Sequence, residues 1–345
     1  SQNMPRTPSD PPTWHDPPGH DSITLKLKLI TPMFGGGYEP REVDPLLPIR
    51  PSAVRGHLRF WWRATAGAQY ADPHELFKAE EDLWGSMEKP GKVRLTVTPR
   101  TSPTVEATDI AMQDPDAYAL WPARATKPPN PQPPAQRVRQ DLKFELVIHY
   151  PSSRAAEVTD TVRAWVLFGG IGGRTRRGCG ALTITQVARK GNQEDIAKWL
   201  PADPHAIRAM LQAALDAPPA APAHIPVLSG AWLYVGQPQS ALIAWYEALK
   251  WLKEFRQGSG YDAGDRAREP DPTGGKRPSV SNWPEADKVR RIVGKPGRLQ
   301  WAHAPRHNAT PVWPRAGFGL PIVGQFQQRS RTGQRWQELG QFEPK

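Results

Sequence analysis

The sequence predicts an α+β protein whose first domain packs two helices on one antiparallel, four-stranded sheet. Short stretches in which apolar and polar residues alternate indicate half-buried strands, and longer stretches with apolar residues at helical spacing indicate amphipathic helices. In chain order these segments read strand, helix, strand, strand, helix, strand, if a short second helical segment is counted as an addition to the first helix. This order is the ferredoxin-like, or RRM-like, pattern.

The first strand and the first helix are separated by a long loop. Apolar residues alternate cleanly over 23–31, which predicts a half-buried strand. The loop that follows contains Gly35-Gly36-Gly37. Ser52 is a suitable N-cap for a helix that runs to about Gly67. The next segment, 74–84, is also amphipathic and predicts a second helical stretch.

Four further elements complete the pattern. Strands are predicted over 92–98 and 142–150, the second helix over 155–168 and the last strand over 181–187. Between the two middle strands lies an insertion, residues 99–140, which ends in a basic, proline-rich run. Because proline prevents helix formation there, we expect the insertion to form an exposed arm.

The chain has 345 residues, enough for two domains. Its second half contains two short predicted helices (194–200 and 204–217), a possible strand at 227–235 and a strong helix at 240–255. We interpret its end as a second, degenerate ferredoxin-like domain. Residues 257–285 are rich in Gly, Asp and Pro and are expected to be mobile. The predicted organisation is a flexible tail at 1–21, a first domain at 22–190, a helical linker at 191–226 and a second, divergent domain at 227–345.

The excess of basic over acidic residues indicates which kind of molecule the protein binds. Lys and Arg number 45 against 34 acids, which gives a net charge of +11 and a pI near 9.8. Such an excess favours nucleic acid or another anionic surface over solubility alone. The single cysteine, Cys179, excludes an intrachain disulfide and a Cys-based zinc cluster, and it fits a reducing, cytoplasmic setting. No apolar run reaches the roughly 18 residues that a membrane span requires, so no membrane contact is expected.

Residues 168–180, FGGIGGRTRRGCG, form a segment that we call the glycine-arginine loop. It contains six glycines, three arginines and no acid. Glycine allows positive φ and lets a ligand approach the main-chain amides, and arginine offers a planar fork that suits phosphate. These residue types indicate a loop that holds a polyanion, with Arg174, Arg176 and Arg177 on the phosphates. The alternative is a solvated turn with incidental arginines.

Nucleotide cofactors do not fit this loop. The dinucleotide fingerprint G-x-G-x-x-G fails because Thr175 stands at the third glycine position and because the loop runs from helix to strand. The phosphate-binding P-loop fails because Cys179, rather than Lys, follows Gly178. We therefore expect no cofactor.

The first helix is basic on one face. Arg55, Arg59 and Arg63 are four residues apart and share that face. Arg50 precedes the helix, whose N-terminal amides carry a partial positive charge. A phosphate would fit at this end. The alternative is a surface on which these arginines form salt bridges. The absence of any acid from residue 45 to residue 71 argues against this alternative.

Support for catalysis is weak. His57 lies among the arginines and would serve as a general base on a ribose hydroxyl, although a plain polar helix residue is the commoner case. His303 and His307 flank Pro305 and do not share a helical face, so no metal site is expected. The adjacent acids at 80–82 are interpreted as a solvated face.

Four segments together resemble a known family. ITPMFGGGYEP and IRPSAVRGHLRFWWRAT, followed by FGGIGGRTRRGCGAL and FGLPI, are similar in order, spacing and content to the RAMP superfamily of CRISPR effector proteins. Within it, the similarity is greatest to the family of first-numbered subunits of the type III-B Cmr complex. The similarity is specific over 23–67 and 165–182.

The resemblance implies two ferredoxin-like domains and a non-catalytic, RNA-binding subunit of an antiviral ribonucleoprotein. That subunit would hold the 3′ part of the guide RNA, help to capture target RNA and contact other RAMP subunits. The alternatives are a metal-independent endoribonuclease with His57 as base, and an assembly subunit that contacts proteins only, which the basic charge disfavours. The RNA-binding positions that the resemblance implies are Arg50, Ser52, Arg55, Arg59, Arg63, Gly169, Gly170, Gly172, Gly173, Arg174, Thr175, Arg176 and Arg177.

Overall fold

The computed structural model describes residues 18–257, apart from short gaps, and two later segments, 322–329 and 335–342. The gaps fall at 112–113, 129–130, 202, 217–219, 222–224 and 234. The chain divides into two compact units, Ser1–Trp245 and Tyr246–Lys345. The expectations for the N-terminal tail, for the Gly-, Asp- and Pro-rich stretch after residue 257 and for the two histidines near residue 305 lie outside the described residues.

The first unit is built from short strands and helices. Its strands are β1 (His20–Leu29), β2 (Met33–Phe34), β3 (Arg94–Pro99), β4 (Val105–Ala107), β5 (Gln136–Val138), β6 (Lys143–Pro151), β7 (Leu182–Arg189) and β8 (Asn192–Glu194). Its helices are α1 (Pro51–Ala64), α2 (Pro73–Trp84), α3 (Ala117–Leu120), α4 (Ala155–Phe168), α5 (Pro204–Met210) and α6 (Gln212–Asp216), and α7 (Ala241–Gln257) begins in this unit.

The main sheet has five strands in the order β3-β6-β1-β7-β8, and every neighbouring pair is antiparallel. The central strand, β1, places Leu25 opposite Leu146 of β6 and Val187 of β7. All three side chains are fully buried. The alternation that predicted β1 therefore reflects one core-facing and one outward-facing row, as expected for a half-buried strand.

Helices α1 and α4 supply the other side of the core. Each contributes several buried residues, and three of them at helical spacing from each helix pack in one cluster with the inward rows of the sheet. These residues are Val54, Leu58 and Trp62 on α1, and Val158, Val162 and Trp165 on α4. Side chains of this kind contribute about 1.5–3 kcal/mol each on full burial. The mixed α+β class with antiparallel pairing is confirmed, and α4 has the predicted bounds.

The insertion at 99–140 was predicted to be an exposed arm, and this prediction is wrong for its described residues. Strands β4 and β5 join β2 in a second, three-stranded sheet, and Leu120 and Val138 are fully buried. Proline excludes a long helix here but not short antiparallel strands. In this irregular segment, several main-chain carbonyls have no partner in regular secondary structure, and the Arg41 guanidinium supplies one. It donates hydrogen bonds to the carbonyls of Pro122, Ala123, Arg124 and Pro133.

Three predictions beyond the main sheet need correction. The described residues of 227–235 form no strand, and Gly230 there adopts φ +70° in a turn. The segment 194–200 holds the end of β8 and a short 3₁₀ turn, Ile196–Lys198, rather than a helix. The helix predicted at 204–217 is divided at Leu211 into α5 and α6. The helix predicted at 240–255 is confirmed as α7.

The second unit contains an antiparallel hairpin, β9 (Ile322–Arg329) and β10 (Arg335–Phe342), in which Gly324 lies opposite Gly340. The sequence did not predict this hairpin, since its segments are rich in Gln and Gly and depart from strict alternation. Within the described residues, no helix is both long enough and apolar enough to cross a membrane.

Candidate nucleic-acid interface

The glycine-arginine loop connects α4 to β7 and is closed at its base by hydrogen bonds. The Ile171 N–H donates to the Gly180 carbonyl at 2.9 Å, and the Gly180 N–H donates to the Pro32 carbonyl at 2.8 Å. The hydroxyl of Thr31, just after β1, donates to the Gly178 carbonyl at 2.6 Å. These contacts fix the two ends of the loop against the segment that leaves the central strand.

Glycine is required in this loop chiefly because the protein's own backbone approaches it. Gly172 has φ +84°, and a Cβ atom there would lie 2.3 Å from the Phe34 carbonyl oxygen. Gly180 has φ +71°, and its Cβ would lie 1.9 Å from the Ile171 carbonyl oxygen. Gly173 differs: it is exposed, and the nearest atom to its Cβ position is 3.7 Å away. Internal packing thus accounts for two of the glycines that were expected to admit a ligand.

The three arginines of the loop have different surroundings. Arg174 adopts the left-handed conformation, with φ +60°, and donates to the Ala119 carbonyl of α3 at 3.1 Å. The Arg177 guanidinium lies 6.0 Å from the centre of the Tyr118 ring. Arg176 is exposed and has no ion-pair partner among the described residues. Arg176 is therefore the loop arginine best placed to meet a ligand from solvent.

Cys179 lies in the same loop but is sealed from solvent. Its side chain is fully buried, and burial raises the pKa of its thiol to about 12. We expect N-ethylmaleimide at about pH 8 to leave the native protein unlabelled and to label the denatured chain once, because the thiolate is the reactive form. Mass spectrometry gives a clear readout, since this is the only cysteine. Rapid labelling of the native protein would show that the loop opens.

Helix α1 begins two residues earlier than predicted. Pro51 is its first residue, Arg50 is the N-cap residue, and no side chain caps the end. Ser52 therefore lies in the first turn, and its prediction as N-cap is wrong. Proline favours the first helical position because its fixed φ suits the helix and its missing N–H would have no partner there. The Arg50 guanidinium lies 3.5 Å from the Asp44 carboxylate.

Arg55 is held by two main-chain carbonyls, one at the end of α2 and one just before β3. It donates to the Trp84 carbonyl at 2.7 Å and to the Val93 carbonyl at 3.1 Å. Burial, with a smaller contribution from nearby Arg59, lowers the pKa of the Arg55 guanidinium. Arg55 thus joins α1 to the segment that leads into β3.

Arg59 and Arg63 share one carboxylate of α2. Both donate to Oε1 of Glu80, at 2.5 Å and 2.6 Å, and only 5% of the Glu80 side chain is exposed. The expectation that the basic face lacks an acidic partner is therefore wrong, because the acid comes from the neighbouring helix. The side chains of Arg59 and Arg63 remain about one-third exposed, at 29% and 34%.

Glu80 was interpreted as part of a solvated face, and the structure contradicts this. The signal that identifies its position is helical spacing. Glu80 follows Leu76 by four residues and precedes Leu83 by three, and both leucines are buried. A carboxylate on the apolar face of a helix needs a cationic partner, and α1 provides two.

The opposite side of α1 meets the glycine-arginine loop. The Trp61 and Phe168 rings lie 6.1 Å apart between centroids, and a Cβ on Gly169 would lie 2.5 Å from the Trp61 indole nitrogen. His57, one turn earlier, is half-buried, and burial lowers its pKa. The last turn of α1 and the loop are therefore in contact, and His57 lies one turn before that contact.

Comparison with known proteins finds a family whose members are similar to this region. Residues 26–183 match the model of the RAMP superfamily. A curated relative, the CRISPR system Cmr subunit Cmr1-1 of Pyrococcus furiosus, is 28% identical over 149 residues. That alignment covers 41% of this chain and 41% of the relative, so the match spans well under half of the relative's length.

Two solved structures are also similar at low sequence identity. The crystal structure of apo Cmr1 from Pyrococcus furiosus is 17% identical, with a TM-score of 0.48, and the match covers 88% of this chain and 83% of that one. A chain of the type III-B Cmr-beta complex bound to cognate target RNA is 16% identical, with a TM-score of 0.38 and coverage of 57% and 62%.

Proposed function

Because residues 26–183 match the model of the RAMP superfamily, we propose that this chain is an RNA-binding subunit of a type III-B CRISPR ribonucleoprotein effector. In this role it holds the 3′ part of the guide RNA and helps to capture target RNA. Its other partners are neighbouring RAMP subunits. The observation that carries the proposal is the contact, inside the matched domain, between the arginine-rich loop and α1, the helix that carries Arg55, Arg59 and Arg63, through Trp61 in its last turn.

We assign the first domain the ferredoxin-like arrangement. Its elements β1, α1, β3, β6, α4 and β7 follow the split βαβ order, and the strand order β3-β6-β1-β7 supports this assignment. The second, divergent domain over 227–345 and the cytoplasmic location remain predictions.

The proposed RNA-binding surface consists of Arg50, Gly173 and Arg176, with Arg174, Thr175 and Arg177 beside them. Arg176 is exposed without an ion pair among the described residues, and Arg50 is 40% exposed. These side chains would contact phosphates, and exposed Gly173 would leave room for the backbone of the strand. No acid lies within the glycine-arginine loop.

The other predicted positions have supporting roles in this proposal. Arg59 and Arg63 share the Glu80 carboxylate, so these three side chains together keep a net charge of +1. That charge adds to the positive potential of the proposed surface. Arg55 positions α1 through its two carbonyl contacts. Gly172 shapes the loop, since its Cβ position is occupied by Phe34.

The test is the affinity of the full chain for single-stranded RNA at several salt concentrations. We expect a steep salt dependence, and we expect Arg176→Ala to weaken binding several-fold and to reduce the log–log salt slope by about 0.7, the contribution of one phosphate contact on a single strand. Lys78→Ala is the matched control, because it removes one exposed positive charge from α2, outside the proposed surface.

Two results would refute this assignment. One is an affinity that does not change with salt, since phosphate contacts release counterions. The other is an equal effect of Arg176→Ala and Lys78→Ala, which would mean that only the net charge matters.

A second candidate, a metal-independent endoribonuclease, rests on His57. Burial lowers its pKa, which keeps the imidazole neutral and able to accept a proton near pH 7. Incubation of the full chain with guide precursor RNA in EDTA distinguishes the two candidates. A discrete product that His57→Ala abolishes would establish the enzyme, and its absence would leave the binding subunit.

A further inference from the structure

Tyr38 is an aromatic residue whose ring has no role in the folded core. It is 91% exposed, although the loop that carries it is well anchored. We call residues 35–50 the anchored loop. Aromatic side chains usually stabilise the folded state by burying a large apolar area, and an exposed ring does not contribute this stabilisation. A ring held in solvent on a fixed support is available for a ligand.

Close backbone packing fixes the anchored loop on either side of Tyr38. A Cβ on Gly36, where φ is +96°, would lie 2.4 Å from the Pro48 carbonyl oxygen. A Cβ on Gly37 would lie 2.4 Å from the carbonyl oxygen of Glu42. The two residues before the tyrosine are thus packed against the returning half of the loop.

Two side chains hold the returning half in place. Arg41 donates to carbonyls of the insertion, including those of Ala123 and Arg124 at 2.8 Å each. The Asp44 carboxylate accepts from the N–H groups of Leu46 and Leu47, at 2.9 Å and 3.0 Å. Tyr38 is therefore presented by an ordered support, which limits the entropy that a ligand contact must overcome.

The anchored loop and the glycine-arginine loop start from the same point. The Gly173 N–H donates to the Phe34 carbonyl at 2.8 Å, and a Cβ on Gly35 would lie 3.9 Å from the Gly173 nitrogen. Tyr38 is four residues beyond Phe34 and Arg176 is three beyond Gly173, so each is within roughly 14 Å of chain from that contact. The ring and the guanidinium thus lie on neighbouring loops, each a few residues from their shared contact.

The charges of the two loops differ in a way that suits the two ends of a nucleotide. Arg174, Arg176 and Arg177 make the glycine-arginine loop cationic, whereas exposed Glu39 and Glu42 lie close to Tyr38 in the anchored loop, whose Arg50 is at its far end. Carboxylates repel phosphate, but they accept hydrogen bonds from the exocyclic amino groups of bases. A base has a neutral π-face that stacks on an aromatic ring. The arrangement separates a place for phosphate from a place for a base.

We propose that Tyr38 stacks on an unpaired base of the RNA whose phosphates lie along the glycine-arginine loop. This inference rests on the proposed function, and it adds a base-binding position that the phosphate contacts do not provide. The stack requires the flat ring and not its hydroxyl. Stacking on one base is sequence-tolerant, because every base has a π-face.

The experiment measures binding of a mixed-sequence, single-stranded oligoribonucleotide to the full chain at several salt concentrations. We expect Tyr38→Ala to weaken binding roughly 5- to 150-fold, the range for loss of one base–aromatic stack, with an unchanged salt slope. Tyr38→Phe should bind like the parent protein. Leu46→Ala is the matched control, because it removes an apolar side chain that is 84% exposed on the same loop, and it should also bind like the parent.

A second probe isolates the base. An abasic ribose-phosphate oligomer of the same length should bind equally to the parent protein and to Tyr38→Ala, since there is no base to stack. Equal RNA affinity of the parent and Tyr38→Ala would overturn the inference, as would a Tyr38→Ala defect that appears only in binding another protein subunit. If the parent protein itself binds no RNA, the proposed function has failed, which is a different outcome.

Discussion

The Arg59→Ala/Arg63→Ala double variant is expected to lose about 3–5 kcal/mol of folding stability, the range observed when a buried ion pair loses one partner. Both guanidinium groups donate to the same oxygen of Glu80, and that carboxylate is only 5% exposed. Without them, the folded state must bury an uncompensated negative charge. The free energy of unfolding can be measured in urea through the tryptophan fluorescence.

Two further variants make this prediction specific. Arg59→Ala alone should cost clearly less than the double change, because Arg63 still compensates the carboxylate. Glu80→Gln, added to the double variant, should recover a large part of the loss, because a neutral amide is less costly to bury than a charge. If the free energy of unfolding of the double variant were within about 1 kcal/mol of that of the parent protein, Glu80 would have to reach solvent. The ion pairs of Arg59 and Arg63 with Glu80 would then not join α1 to α2.

Gly172→Ala is expected to destabilise the first unit by roughly 2–5 kcal/mol. Gly172 has φ +84°, a conformation that costs an L-residue roughly 1–2 kcal/mol. A Cβ there would also lie 2.3 Å from the Phe34 carbonyl oxygen and 2.7 Å from the Met33 side chain. Relief of that overlap requires movement of backbone, which adds about 1–3 kcal/mol in well-packed regions.

The neighbouring residue provides the control for this change. Gly173→Ala should alter the urea midpoint little, because its Cβ would lie 3.7 Å from the nearest atom and its φ is not positive. The two variants differ by one position in the same loop. Equal stabilities would show that the loop is not packed against β2 and that its glycines serve a ligand instead.

The regular elements of the first domain could be predicted from sequence because local periodicity determines them. The bounds of α4 agree with the prediction, and β1, β6 and β7 agree within a few residues. These segments bury one face against a single core, so their apolar spacing records the fold directly. The start of α1 was missed by two residues, because the preference of Pro51 for the first helical position outweighs the capping tendency of Ser52.

The remaining errors concern contacts between segments that are distant in sequence. The acid that pairs with Arg59 and Arg63 lies on α2, and nothing in α1 itself indicates it. The insertion is ordered by strand pairing with β2 and by Arg41, which is about 80 residues away from some of its partners. Such interactions depend on the tertiary arrangement. They also show that several residues of the glycine-arginine loop, among them Gly172, are required for packing.

Photocrosslinking is the most direct test of the claim that this region binds RNA. Full-length protein is bound to single-stranded RNA containing 4-thiouridine, irradiated, digested and mapped by mass spectrometry. We predict that crosslinked peptides concentrate on residues 35–60 and 169–177, and that Arg176→Ala reduces their yield. Crosslinks that avoid both segments, while the protein still binds RNA, would contradict the account.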